Sequence, residues 1–411
     1  SNHSPVTEFS SGRFDLARVF MAGLKQTTAD LAQHKRRFEQ FSAGAAKLTD
    51  SLHGVSEARS PLREVEDFGA NPGELRMLTY VPEGLPAGAP LVVALHGCTQ
   101  TAAGFDRGTG WSALADRYQF ALLLPEQQQA NNQNGCFNWF LPGDTRRDRG
   151  EVGSIRAMIE RLVRDEQLDE RRVFVTGLSA GGAMASAMLA TYPEVFAGGA
   201  IIAGLPYGAA ANVQQALECM HKGVSRPAAE WGLSVRRASR HKGPWPKISV
   251  WHGAGDAHVQ PSNAGEIVKQ WTELHGLPLY PSEAELTDAF ERRIWRSPEG
   301  EPMIESYLVT GMAHGVPIAA GAGDGQCGVA APFMLDVGVS SGHRIVEFWG
   351  LSGDPVLHSA RPRALQSART DVVELRPVAP TRAPEHRRGS IASDPGATIE
   401  RALRAAGLMK P

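Results

Sequence analysis

The chain has 411 residues, 42% of them hydrophobic and 21% charged, with 44 Gly and 27 Pro. That composition is too apolar for a mostly disordered chain, has no collagen period, and holds no uninterrupted apolar run long enough to cross a bilayer. Lys and Arg number 42 against 44 Asp and Glu, a net charge of −2, so nucleic acid is not an expected partner.

Residues 12 to 52 carry an apolar stripe at Phe20, Leu24, Leu31, Phe38, Phe41, Ala45, Leu48 and Leu52, its later spacings alternating three and four. This is the pattern of an amphipathic helix. Lys25, Lys35, Arg36, Arg37 and Glu39 occupy its other face. Such a helix either docks on the main body or adsorbs to a partner or surface. From Leu75 the rhythm changes, and short apolar runs alternate with helical stretches. Strands are expected at 75–81, 91–95, 121–125, 173–176, 198–203, 248–251 and 304–309, and helices at 112–118, 152–164, 183–191 and 264–275. The run at 91–95 is apolar throughout, which suits a strand buried on both faces of a mostly parallel sheet. Strand–helix alternation over this length predicts a three-layer α/β sandwich. Two stretches, 127–149 and 206–246, read as long loops. The alternation ends near Leu351. Residues 360–390 hold seven Arg and several Pro and read as a linker or surface-wrapping arm. A short helix is expected at 397–409, with Ile399, Leu403 and Leu408 as its apolar set. Three segments result: a helical extension at 1–60, a catalytic domain at 61–351, and an arm with a terminal helix at 352–411.

The residues that can do chemistry cluster at strand ends. Gly177-Leu178-Ser179-Ala180-Gly181 follows the strand at 173–176 and precedes a helix. This is the context in which a G-x-S-x-G turn lifts a serine above the sheet as a nucleophile. A lone match is weak; the strand before it and the helix after it carry the reading. A nucleophilic serine needs a base, and the base an orienting acid. Asp256 lies just past the strand at 248–251, in His252-Gly253-Ala254-Gly255-Asp256. His314 lies just past the strand at 304–309, in Gly311-Met312-Ala313-His314-Gly315. Serine, acid and histidine then come in α/β-hydrolase order, on one edge of the sheet. The competitors fit less well. His252 belongs to a strand end. His258 is either a residue of the site's rim or merely exposed. His343 falls outside the expected loop, and Asp324 follows the histidine and breaks the order. An oxyanion needs two preorganised donors. These are the N–H of Ala180, directly after the serine, and the N–H of Cys98 in His96-Gly97-Cys98-Thr99-Gln100, directly after the strand at 91–95. Cys98 as a thiol nucleophile is the rival reading, but no elbow surrounds it. The reaction implied is acyl transfer to Ser179 and hydrolysis of the acyl-enzyme, with no metal or organic cofactor required. Cys98, Cys136, Cys219 and Cys327 allow three full pairings. None forms a CxxC pair, so a structural zinc site is not expected.

Residues from about 90 to 351 resemble the polyhydroxybutyrate depolymerase family of esterases, which is related to the feruloyl and acetylxylan esterases. The resemblance rests on His96-Gly97-Cys98-Thr99-Gln100, Pro125-Glu126-Gln127, Cys136-Phe137-Asn138-Trp139-Phe140, 177–182, 252–263 (HGAGDAHVQPSN) and 340–351 (SSGHRIVEFWGL). It implies an α/β-hydrolase fold, with Ser179, Asp256 and His314 as the triad. It also implies a disulfide between Cys98 and Cys136, a second between Cys219 and Cys327, and Trp139 near the substrate; the alternative for Trp139 is a plain core aromatic. The implied bridges favour an oxidising compartment, secreted or periplasmic, over the cytoplasm. The implied substrates are short-chain polyesters and their oligomers, with hydroxycinnamoyl or acetyl esters of plant cell walls as the alternative. From another class, the alternative is a granule- or partner-binding protein on a hydrolase scaffold. Three departures stand out. Where the resemblance leads one to expect GMGHAWP around the histidine, the chain reads GMAHGVP, which leaves the acyl pocket's shape open. No C-terminal polymer-binding module is recognisable, so crystalline polymer is a less expected substrate than oligomers. The helical stretch to about Leu52 is not part of the catalytic core of secreted members.

Overall fold

The structure is a computed structural model that describes residues 60–353. The helix expected at 12–52, the arm at 360–390 and the helix at 397–409 lie outside the described residues. The strands of the main sheet, in chain order, are β1 (Arg63–Val65), β2 (Arg76–Tyr80), β3 (Leu91–Leu95), β4 (Ala121–Glu126), β5 (Val173–Leu178), β6 (Gly198–Ile202), β7 (Lys247–Gly253), β8 (Glu283–Leu286), β9 (Phe290–Arg296) and β10 (Pro302–Val309). They form one ten-stranded sheet in the order β1-β2-β4-β3-β5-β6-β7-β10-β9-β8. The block from β4 to β10 is parallel, and the flanking strands are antiparallel. The chain leaves β3 for β4 on one side and continues with β5 on the other. The crevice beyond the C-terminal ends of β3 and β5 is therefore a topological switch point, where open α/β sheets place their ligands.

The helices cover both faces. On one side lie α3 (Gly150–Asp165), α4 (Ala180–Thr191), α5 (Val213–Lys222), α6 (Ala228–Ala238) and α7 (Ser262–His275). On the other lie α1 (Ala102–Thr109), α2 (Trp111–Tyr118) and α8 (Ser341–Phe348). The strand period of two divides the central strands between the two cores. Leu91, Val93 and Leu95 of β3 pack with α3 and α4, while Val92 and Ala94 pack with α1 and α2. A short parallel ladder, β11 (Val316–Ile318) with β12 (Met334–Asp336), follows β10. Among the described residues no helix is long and apolar enough to cross a membrane.

All seven expected strands are present. The stretch at 206–246, expected to be a loop, instead carries α5 and α6. Buried Trp231 anchors α6 and donates its Nε1–H to Glu266 at 2.6 Å.

The expected pairing of the cysteines is half right. Cys98 and Cys136 form a disulfide, but Cys219 and Cys327 are free thiols. They lie in the cores on opposite faces of the sheet, so the sheet itself keeps them beyond the roughly 7 Å Cα separation a bridge tolerates. Each has a local partner instead. Cys219 Sγ lies 3.2 Å from Ala209 O, and Cys327 Sγ lies 3.4 Å from Thr109 O and 3.3 Å from Ser340 Oγ. Burial pushes both thiols up.

Candidate active site

Ser179 sits between β5 and α4 with φ 57° and ψ −114°, a sparsely populated backbone conformation of the kind found where side chains are held for chemistry. Its N–H donates to Ile202 O at 2.9 Å. Ala180 opens α4, so no preceding helical turn takes up its N–H. Gly181 explains how close this turn lies to β3. A Cβ there would stand 2.3 Å from Leu95 O and 2.4 Å from His96 O, both backbone. The first turn of α4 therefore abuts the loop that begins at His96.

That loop is held at every peptide. Gly97 N–H donates to Gln100 Oε1 at 2.8 Å, and Thr99 N–H to Asn134 O at 2.7 Å, which orients the Cys98 peptide between them. His96 Nε2 accepts from Gln127 N–H at 3.1 Å. Its proton therefore sits on Nδ1 and is donated to Gly97 O at 2.8 Å. Burial pulls the His96 pKa down and keeps the ring neutral in that role. The Cys98–Cys136 bridge ties the loop to the Asn-rich segment at 127–149.

The segment is anchored in turn on Glu151, in the first turn of α3. Glu151 accepts from Asn138 N and Asn138 Nδ2, both at 2.8 Å, and from Gln127 Nε2 at 2.5 Å. Gln127 also donates to Cys136 O at 3.2 Å. Burial, then the charge of Asp144, pushes the Glu151 carboxyl up to about 8 against the pull of these donors. Trp139 is buried on this segment, edge-on to Phe140 at 5.4 Å and in one core with Phe137.

Asp256 and His314 meet where the loops after β7 and β10 lock together. Ala254 N–H donates to Val309 O and Gly255 N–H to Met312 O, both at 2.9 Å. Gly253 permits the contact: a Cβ there would lie 2.2 Å from Met312 O. His314 Nδ1 then donates to Asp256 Oδ2 at 2.7 Å. The other carboxylate oxygen accepts the N–H groups of His258 and Val259 at 2.8 and 2.9 Å. Burial acts to raise the Asp256 carboxyl. The hydrogen bonds from His252 and His314 outweigh it and hold the group well below the usual carboxylate range.

Two further histidines crowd this pair. His252, fully buried, places Nε2 3.2 Å from Asp256 Oδ2 and 2.9 Å from Val259 O. Its contact with the acid was not visible from its place at a strand end. His258 is half-buried rather than exposed, its ring 5.3 Å from that of His314. Burial, then the neighbouring His314, lowers its pKa. His343 lies on α8 and bonds Ser340 Oγ at 2.9 Å. Asp324 is exposed and pairs with Arg117. Neither belongs to this cluster. Glu151 and Gln127 were missed as supports; the available signal was an acidic residue opening a helix after an Asn- and Gln-rich loop.

Residues 75–282 match the family model described as esterase PHB depolymerase, a span that includes Ser179 and Asp256 and ends before His314. The chain is 47% identical over 293 residues to poly(3-hydroxyalkanoate) depolymerase C of Paucimonas lemoignei, covering 71% of this chain and 70% of that one. It is 32% identical over 263 residues to an acetylxylan esterase of Coprinopsis cinerea, covering 62% and 69%. Among solved structures, the acetyl xylan esterase from Aspergillus awamori matches with a TM-score of 0.61 at 26% identity, covering 71% of this chain and 99% of that one.

Proposed function

The chain belongs to the esterase PHB depolymerase family and is a carboxylic ester hydrolase; on that premise we propose that Ser179, Asp256 and His314 are its catalytic triad. The observation that carries this is the 2.7 Å hydrogen bond between Asp256 and His314, on the sheet edge where Ser179 occupies its strained turn. Only β6 separates β5 from β7. At about 4.8 Å per strand, the loops of serine and acid stand about 10 Å apart, a gap an imidazole held on the acid can fill. His314 Nε2 takes the proton of Ser179 Oγ as that oxygen attacks the ester carbonyl. Asp256 keeps the proton on Nδ1 and stabilises the imidazolium. The N–H groups of Ala180 and Cys98 hold the oxyanion. His314 then protonates the departing alcohol, activates a water to cleave the acyl-enzyme, and the acid leaves.

The proposed substrates are short-chain polyhydroxyalkanoates such as polyhydroxybutyrate, or their oligomers, in line with the poly(3-hydroxyalkanoate) depolymerase relative. Trp139, on the segment tied to the oxyanion loop, is the proposed substrate-lining aromatic. The acetyl xylan esterase match favours a second reading, an esterase on plant cell-wall esters. The Cys98–Cys136 bridge supports a secreted or periplasmic location. The proposed catalytic domain is 61–351.

Hydrolysis of p-nitrophenyl butyrate by the wild type and by Ser179→Ala tests the triad. The variant should lose at least 10³-fold in kcat; equal rates would overturn the assignment of Ser179 as the nucleophile. Comparing 3-hydroxybutyrate oligomers with methyl ferulate and acetylated xylan then separates the two substrate readings.

A further inference from the structure

Phe333 stands out as a bulky residue in the left-handed region, with φ 67°, where a large side chain is a genuine outlier. Its ring lies edge-on to His314, 6.1 Å between centroids with the planes at 76°.

The surrounding backbone holds it there. Val316 N–H donates to Phe333 O at 2.7 Å. The next residue, Met334, is buried and pairs with Val316 in the β11–β12 ladder. Met334 also fills the space beside Gly108, where a Cβ would lie 2.5 Å from Met334 Cγ. Gly315, directly after His314, completes the fit: a Cβ there would stand 2.6 Å from Phe333 O. The missing side chain at 315 lets the 333 backbone press against the residue next to the histidine. The ladder anchors Met334 in the core, and Phe333 is left half-buried beside the imidazole.

The chemistry assigns a side of the substrate to this ring. When the carbon–oxygen bond breaks, His314 gives its proton to the departing alkoxide, so the alcohol portion lies within hydrogen-bond reach of the imidazole. The acyl portion is covalently on Ser179, and its carbonyl oxygen faces the donors on α4 and the loop at 96–100. A ring packed on His314 therefore borders the alcohol portion. We propose that Phe333 is a specificity-determining residue, the wall that limits the bulk of the ester's alcohol. This rests on the triad reading above.

The test measures kcat/KM for wild type, Phe333→Ala and Phe333→Leu on two series. One holds the acyl group at acetate and enlarges the alcohol from methyl to phenyl to 2-naphthyl. The other holds p-nitrophenol and lengthens the acyl chain from acetate to butyrate to octanoate. In Phe333→Ala the ratio of 2-naphthyl to methyl acetate should rise about fivefold or more, the discrimination typical of a small steric change in a pocket. Phe333→Leu should fall between, and the acyl-length ratios should stay within twofold. An alcohol ratio within twofold of wild type overturns the proposal, as does an acyl-length ratio that moves as far as the alcohol ratio. Unfolding midpoints are recorded for both variants, and Phe333→Leu carries the test if Phe333→Ala does not fold. Ser179→Ala runs in parallel. An active Ser179→Ala sinks the triad reading itself, whereas an inactive one with an unmoved alcohol ratio sinks the Phe333 proposal alone.

Discussion

Replacing both Cys98 and Cys136 with serine removes the bridge without creating a new thiol. The bridge closes a segment of 38 residues, and the loop-closure relation assigns such a segment about 4 kcal/mol of stability at 25 °C. What remains to hold the loops together is weaker. The bond from Thr99 N–H to Asn134 O persists, but a bond of that kind nets about 1 kcal/mol. Unfolding free energy, followed by Trp fluorescence in urea, should therefore fall by about 3–4 kcal/mol. Activity should fall as well, because the Cys98 N–H is proposed as an oxyanion donor. Losing such a donor outright costs about 10²–10³ in kcat. With the Gly97–Gln100 and Thr99–Asn134 bonds still in place, a loss of about tenfold in kcat on p-nitrophenyl butyrate is expected, with KM less affected. A double variant within 1 kcal/mol and twofold of wild type would refute the reasoning that the bridge preorganises the oxyanion loop.

Glu151 should leave its mark on the pH dependence of stability. Its carboxyl stands at about 8 when folded, against an ordinary value of 4.5. Below about pH 4.5 both states hold the proton; between the two values only the folded state does. Stability from this group thus falls as pH rises through that window and levels off above about 8, by up to about 5 kcal/mol. Glu151→Gln does not titrate, so urea denaturation at pH 5, 6.5 and 8 should show a shallower decline for the variant; identical slopes would refute this. Thiol titration in denaturant without reductant should find two thiols per chain, from Cys219 and Cys327. A count of zero would restore the second bridge, and a count of four would remove the first.

The parallel core was legible because its strands are buried on both faces, so runs such as 91–95 and 121–125 are apolar without interruption. The β8–β9 hairpin was not, because charges interrupt it: β9 buries Phe290, Ile294 and Trp295 but sets Glu291, Arg292, Arg293 and Arg296 among them, and no residue of β8 is buried. The loop expected at 206–246 failed for a related reason. α5 and α6 are short and bury few of their residues, so although Val213, Ala216, Leu217 and Met220 fall at helical spacing, the apolar content that marked the other helices is missing. Cysteine number carried no information about which face of the sheet each thiol occupies, and that decided the fate of Cys219 and Cys327.

Within the site, the legible residues share one physical trait. Gly181 and Gly253 stand where the loop of one strand end touches the backbone of another, and a Cβ at either would enter a neighbouring carbonyl. Close approach of backbones demands glycine, so it prints itself on the sequence and flags the Ser179 and Asp256 that follow the same strand ends. Support through side chains leaves no such print. His252 reaches Asp256, Glu151 collects Gln127 and Asn138, and Phe333 meets His314 only through the fold. A carboxylate, an imidazole or an aromatic ring at those positions is chemically ordinary until its neighbour is known. The parts that hold and shape the proposed triad are thus the ones a sequence hides, and they are where substitutions should alter rate or selectivity without touching the reacting atoms.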